Sequence, residues 1–355
     1  MISVRLFFPR CARSQAREGL TPRAQVMSST TSSSVIRRTM VSSSSASSSK
    51  SKRKRKSHAS SNDKLSTPHP RATKKPQRQK AVPPMLLAPT GSPSVYISRS
   101  AFAGGFDEEQ EDPPMDPSQL FTEQQSSVTP RLFRQAQFEY LSPKMLNHHP
   151  PQHGASEVFV LGRSNVGKSS LLNAIMGRKL AITSKSPGRT QQPYYYGLFD
   201  SATSAKKDPL QPSDSIAYLV DLPGYGYAQG PKASVERWQA TTQELLLDRM
   251  EYGVLQRLLL LIDSRRGIQD VDRHVLQWLD EASQIPYSIV LTKADQVDIR
   301  QQLKQVNELC LRHASLVSLE HDVAMSPLVH VTSSSKRQGI TELQWMLQAE
   351  FLNEN

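Results

Sequence analysis

The stretch GRSNVGKSS, Gly162 to Ser170, decides the fold. It follows the apolar run Glu157-Val158-Phe159-Val160-Leu161 and opens onto Leu171-Leu172-Asn173-Ala174-Ile175, so a short strand passes through a glycine-bearing loop into a helix. In that context Gly162-x-x-x-x-Gly167-Lys168-Ser169 reads as a phosphate cradle. The glycines let the loop, with Arg163, Ser164, Asn165 and Val166, turn its backbone N–H groups inward around an anion. The positive end of the helix that begins at Lys168, Ser169 and Ser170 adds to the attraction. Lys168 is expected to reach the β- and γ-phosphates as a catalytic group, and the Ser169 hydroxyl to ligate Mg²⁺.

Downstream, short β-rich runs alternate with helical patterns. PYYYGLF, IAYLVDL, RLLLLID, YSIVL and LVHVT join EVFVL as six strands, separated by ASVERWQATTQELLLDRM, DVDRHVLQWLDEA, VDIRQQLKQVNELCLRHA and ITELQWMLQAEFL. In DVDRHVLQWLDEA, Val271, Val275, Trp278 and Leu279 fall at i, i+4, i+7 and i+8, one apolar face. This rhythm predicts an α/β domain: a mostly parallel six-stranded sheet with helices on both faces. The polar segment 201–214, with two prolines, interrupts it and reads as an exposed loop.

Three further segments define the ligand. Asp221-Leu222-Pro223-Gly224 ends IAYLVDL; its carboxylate can hold Mg²⁺ and the Gly224 amide can meet a γ-phosphate. Thr292-Lys293-Ala294-Asp295 follows YSIVL. Asp295 can accept from both the guanine N1–H and its exocyclic amine, a donor pair adenine lacks, while Lys293 lies along the ring. Thr332-Ser333-Ser334, after the last strand, can offer a backbone amide to the guanine carbonyl. Four such segments in this order, each at the C-terminal end of an expected strand, point to GTP.

Together GRSNVGKSSLLNAI, SPGRTQQ, DLPGYGYA, LLLLIDSRRGIQDVD, VLTKADQV and SSSKRQGI resemble the EngB (YihA/YsxC-type) ribosome-biogenesis GTPases of the translation-factor-related P-loop class. The resemblance runs from roughly Pro130 to Phe351, and GRSNVGKSS and DLPGYGYA are specific to that family. It implies a Mg²⁺-dependent GTPase switch, slow without a partner, that assists assembly of the large ribosomal subunit. Its partners would be rRNA and ribosomal proteins of the subunit precursor, and the protein itself a monomer. By the same resemblance Thr190 is the switch threonine that ligates Mg²⁺ alongside Ser169 and Asp221. Gly188, Arg189, Thr190, Gln191 and Gln192 form a first nucleotide-responsive segment, and Tyr225 to Gly230 a second. K⁺ participates in some relatives and is carried as a further expected cofactor. Many GTPases have Asn where Thr292 stands, but this family accepts Thr, and the 201–214 loop is longer than the family pattern.

The net charge of +12 does not belong to this domain. Residues 1–100 hold 20 Lys/Arg against two acids, whereas residues 117–355 are neutral, so the basicity says little about the nucleotide site. The leader places Arg5, Arg10, Arg13 and Arg17 among Val, Leu and Phe, with no acid before Glu18 and a long Ser/Thr tract behind. That is the composition of an organelle transit peptide over residues 1–60, for a mitochondrion or, alternatively, a plastid. Lys50 to Lys56 also fits a nuclear signal or a solvated charge run. Residues 61–130 read as a disordered linker without a core, which leaves 131–355 as the GTPase domain.

Other features have plainer readings. Cys310 falls in a helical pattern as a small hydrophobe. The histidines of HHPPQH, His148 to His153, lack a carboxylate or Cys at ligand spacing. Arg265 and Arg266 could be catalytic but suit a solvated loop or rRNA contact. Tyr194, Tyr195 and Tyr196 could stack on RNA, yet alternation along a strand turns at least one into the core. No apolar run approaches the ~18 residues of a membrane span. Two rivals to the assembly reading are a GTP-controlled protein-binding switch, for instance in organelle division, and a nucleic-acid binder led by the basic arm. The second has no use for Lys168, Asp221 and Asp295 together.

Overall fold

The computed structural model describes residues 87–98, 121–182, 192–201, 211–225, 232–318 and 323–352. Its strands are β1 (Leu87–Pro89), β2 (Val95–Ser98), β3 (Ala136–Leu141), β4 (Ser156–Gly162), β5 (Tyr194–Asp200), β6 (Ala217–Asp221), β7 (Leu255–Asp263), β8 (Tyr287–Thr292) and β9 (Met325–Val331). They form one sheet in the order β1-β2-β9-β8-β7-β4-β6-β5-β3. The central five, from β9 to β6, run parallel, and antiparallel strands extend both edges.

The unbroken apolar run of β7 shows why. Successive side chains of a strand point to opposite faces, so a strand covered on both sides must be apolar throughout. Leu258, Leu260 and Ile262 enter one core with Phe159 and Leu161 of β4, whereas Leu259 and Leu261 enter the other with Val158 and Val160. The first core is covered by Leu246 of α4 (Lys232–Glu251), Leu276 of α5 (Asp270–Trp278) and Leu309 of α6 (Ile299–Val317). The second is covered by Leu171 and Ile175 of α3 (Lys168–Met176) and by Leu343 and Leu347 of α7 (Ile340–Leu352). Two short helices, α1 (Glu123–Ser127) and α2 (Arg131–Gln135), precede β3. Cys310 is buried in the first core as expected, and burial pushes its thiol up to about 12. Tyr195 and Tyr196 are both buried, one on each face, because β5 too is covered on both sides.

Three expectations are corrected. The sheet has nine strands among the described residues where six were read: LAP, VYIS and AQFEYL add β1, β2 and β3 outside the expected core, and none of the three is a long apolar run. Residues 61–130 are not all linker. Val95, Ile97 and Phe121 pack with Leu328 of β9, and β2 pairs with β9 from Val95↔His330 to Ile97↔Leu328. Composition hides this burial because half of it is hydroxyl: Thr90 donates to Val95 O (2.7 Å), Ser92 to Glu342 Oε1 (2.7 Å) and Ser98 to Cys310 O (3.2 Å). Third, α5 does not turn Val271 inward. Val271 is 39% exposed, whereas Val275, Trp278 and Leu279 pack on the core as expected, joined by Asp272 (1%) and Leu276.

Buried ion pairs and caps fix the elements that carry the site. Arg249, in the last turn of α4, donates Nε to Glu157 Oε2 (3.0 Å) and Nη2 to Oε1 (2.7 Å), joining that helix to the start of β4. Asp298 caps α6 by accepting from the N–H groups of Arg300 and Gln301. The expectations for residues 1–60, for Gly188 to Gln191 and for the middle of the 201–214 loop lie outside the described residues.

Candidate functional site

β4, β6, β8 and β9 end on the same side of the sheet, and the four nucleotide segments follow those ends. Gly162 closes β4 with no room for a side chain: a Cβ would stand 2.9 Å from Val166 Cγ1 and 3.0 Å from Leu261 O. The loop then turns through left-handed Asn165 (φ 64°) and Gly167 (φ 113°) before α3 begins at Lys168. Such a turn aligns backbone N–H groups toward one point, an arrangement that holds anions.

The DLPG segment is laced onto this loop. Ser164 N–H donates to Tyr225 O (3.1 Å), Tyr225 N–H to Gly162 O (3.3 Å), and Leu222 N–H to Val160 O (3.1 Å). Gly224 comes so close that a Cβ there would lie 2.9 Å from Lys168 Nζ and 3.0 Å from Ser164 N. Asp221 is buried, its Oδ1 has no hydrogen-bond partner, and burial, partly offset by Lys168, raises its pKa to about 6. Burial likewise pulls the Lys168 amine down, with Asp221 opposing. Leu222 and Pro223 are buried and act as packing.

On the opposite flank, TKAD is clasped to the same loop. Thr292 Oγ1 donates to Val166 O (2.8 Å), which gives that Thr a structural task, and Lys293 Nζ donates to Asn165 O (2.6 Å) and Asp263 Oδ2 (2.9 Å). Asp263 also takes a bidentate pair from Arg265. Burial pushes this carboxyl up, but the hydrogen bonds from Arg265 and Lys293 win and hold it at about 2. Arg265 is therefore a brace for Lys293 rather than a free catalytic arginine.

Asp295 stays solvent-exposed with both oxygens occupied: Ser333 Oγ donates to Oδ1 (2.7 Å) and Ser335 Oγ to Oδ2 (3.0 Å). The Ser333 hydroxyl, then that of Ser335, keep this carboxyl below its ordinary range despite some burial. Thr332 points inward and donates to Leu291 O, and Ala294 N–H donates to Thr332 O (3.1 Å), so the last two segments are tied together.

Sequence reasoning missed Ser335, Asp263 and Asp272. Ser335 is one hydroxyl in a serine run, and nothing local distinguishes it. Asp272 accepts from Tyr225 OH (2.8 Å) and Gln269 N–H (2.8 Å), with Arg163 Nη1 at 4.0 Å. The side chain of Arg163 thus faces α5, and its part in the cradle is that of its backbone. Ser170 and Gln192 are exposed, Ser169 and Ser334 half-buried.

The family described as "50S ribosome-binding GTPase" matches residues 157–293. The probable GTP-binding protein EngB of Rhodospirillum rubrum is 44% identical over 203 residues, 56% of this chain and 78% of that protein. The chain belongs to the EngB family.

The EngB of Nitrobacter hamburgensis agrees at 41% identity over 209 residues, 59% of this chain and 85% of that one. A crystal structure of a probable GTP-binding protein engB is 22% identical with TM-score 0.39, covering 56% of this chain and all of that one. As an EngB-type P-loop GTPase the chain binds GTP and GDP, and GTP hydrolysis is its activity. The residues present suit a divalent cation: Asp221 is a buried carboxylate with an unpartnered oxygen, and Ser169 opens the helix behind Lys168. Ser169 and Asp221 would hold Mg²⁺, which neutralises phosphate charge when bound; Thr190, the third expected ligand, lies outside the described residues. With nucleotide bound, Lys168 would supply positive charge toward the terminal phosphates, the loop N–H groups would orient them, and Asp295 would select the base.

Proposed function

We propose that this EngB-family chain is a Mg²⁺-dependent GTP switch that assists assembly of the large ribosomal subunit inside an organelle, a mitochondrion in the first instance. The observation that carries the switch is the closeness of Gly224 to Lys168 and Ser164. A glycine amide held at that point answers to the presence or absence of one phosphate group, and whatever Gly224 does is passed through Tyr225 to the backbone behind it. The ribosomal half is supported by the family's description as 50S ribosome-binding, and the organellar half by the Arg-rich, Ser-rich, acid-poor leader. K⁺ is part of the same proposal as an additional activating ion.

Sedimentation of an organelle lysate with a non-hydrolysable GTP analogue tests the whole reading. Co-migration with large-subunit precursors, lost with GDP, is the expected result. A nucleotide-independent soluble distribution would overturn it. A fluorescent fusion of residues 1–60 tests the address: it is expected in mitochondria, and nuclear accumulation would make Lys50 to Lys56 the operative signal.

A further inference from the structure

The backbone carbonyl of Ser94, at the foot of β2, accepts a hydrogen bond from Val331 N–H at 2.8 Å. Val331 is the last residue of β9, and the chain that follows it is the loop whose Ser333 and Ser335 hydroxyls occupy both oxygens of Asp295. That loop closes where Ser333 N–H donates to Gln338 O (3.0 Å), next to Gly339. Gly339 is left-handed (φ 69°); a Cβ there would collide with Val331 O and stand 3.3 Å from Ser94 Cβ. Three residues on, Glu342 in the first turn of α7 accepts from Ser92 Oγ (2.7 Å), which itself accepts from Ser94 N–H (3.1 Å). The hairpin β1–β2 therefore holds both stems of the loop, β9 on one side and α7 on the other. Its own seat is the apolar group Val95, Ile97, Phe121 and Leu328.

We infer that this N-terminal hairpin is a positioning element for guanine selection: it sets the serine loop that aims the Asp295 carboxylate at the base. The inference rests on Asp295 being the guanine-binding residue. A carboxylate facing two donors is sensitive to angle, since a hydrogen bond weakens steeply as it bends. Without β2, Val331 N–H returns to solvent, β9 becomes an edge, and the stem that carries Ser333 frays. The hairpin lies ahead of Pro130, outside the stretch over which the sequence resembles the bacterial family.

The test uses the full chain and the ratio of affinities for GDP and inosine diphosphate, which lacks the exocyclic amine. A purely structural support would lower the melting midpoint and leave the ratio alone. Ile97→Asp sets a charge against Leu328 and Phe121 and should release the hairpin, lowering the GDP preference roughly tenfold; Ile97→Val should keep it. Ser92→Ala removes only the hydroxyl link to Glu342 and should lower the ratio by about threefold; it decides the matter if Ile97→Asp fails to fold. Asp295→Asn is the control and should turn preference toward xanthosine diphosphate. If Asp295→Asn loses guanine preference while the folded hairpin variants keep the wild-type ratio, the inference is overturned and the base assignment stands. If Asp295→Asn keeps guanine preference, the base assignment falls and the inference with it.

Discussion

The hydroxyl of Tyr225 donates to Oδ1 of Asp272 at 2.8 Å, with both residues buried. Tyr225 is the residue after DLPG, where regulatory GTPases place a glutamine that orients the attacking water. Here the side chain locks into the N-terminal turn of α5. Burial, reinforced by Asp272, pushes the phenol far above its ordinary pKa, so it remains a donor at any physiological pH. The backbone of the same residue pairs with Gly162 and Ser164. One side chain thus joins the phosphate loop, the Gly224 sensor and α5.

Tyr225→Phe should expose what that join does. Removing the hydroxyl leaves a buried carboxylate oxygen without a partner, which typically costs ~1–3 kcal/mol. Chemical denaturation should show a loss in that range. If Gly224 meets the γ-phosphate as proposed, binding of a GTP analogue should weaken while GDP affinity holds. Equal loss for both nucleotides would show that the lock supports the whole loop rather than the sensor.

Arg249 and Glu157 make a second test, of the scaffold alone. The guanidinium fork satisfies both oxygens of a fully buried carboxylate. Removing one partner of such a pair costs about 3–5 kcal/mol because the other stays buried and charged. Arg249→Met should destabilise by that order, and adding Glu157→Gln should recover part of it. Additive losses in the double variant would deny the coupling.

His330 sits in β9 with no solvent exposure, and neither ring nitrogen has a hydrogen-bond partner. Burial, aided by the nearby charge of Arg257, lowers its pKa from 6.5 to about 4. The unfolded chain therefore takes up a proton as pH falls through 6.5, while the folded chain does not until about pH 4. Stability is complete above pH 6.5 and is lost between 6.5 and 4, by roughly 3 kcal/mol at most. His313 shifts in the same direction and adds to the same limb. His330→Leu should flatten part of the acid side of a stability–pH curve; an unchanged curve would mean the imidazole is protonated or solvated in the folded state.

The phosphate loop was legible in the sequence because its glycines answer to purely local geometry: Gly162 has no space for a Cβ, and Gly167 is left-handed. The parallel core was legible because a strand buried on both faces must be apolar throughout, as Leu258 to Ile262 are. The hairpin at 87–98 was not, since its buried Thr90, Ser92 and Ser98 acquire partners from residues up to 250 positions away. Asp272 was hidden for the same reason. A helical pattern assigns Val271 to the core and an aspartate to water; Asp272 accepts locally from Gln269 N–H, but its burial also takes the hydroxyl of Tyr225, 47 positions upstream.

The same geometry bears on the rate of hydrolysis. On the proposed reading Lys168 and the loop N–H groups bind and polarise the terminal phosphates, Asp221 helps hold Mg²⁺, and Gly224 senses the last phosphate. Tyr225 has no free hydroxyl to offer an attacking water, because it is spent on Asp272 at 2.8 Å. Arg265, a candidate for stabilising transition-state charge, is forked onto Asp263. The isolated protein should therefore hydrolyse GTP slowly, on the order of 10⁻⁴ to 10⁻² s⁻¹, the range of unassisted switch GTPases. A partner that orders the DLPG segment or donates a group should raise the rate by orders of magnitude, and the large-subunit precursor is the partner this reading names. Single-turnover hydrolysis of purified protein, with and without those particles and with Na⁺ exchanged for K⁺, measures each contribution. A rate of about 10 s⁻¹ for the protein alone would mean that this chain carries a water-orienting group of its own.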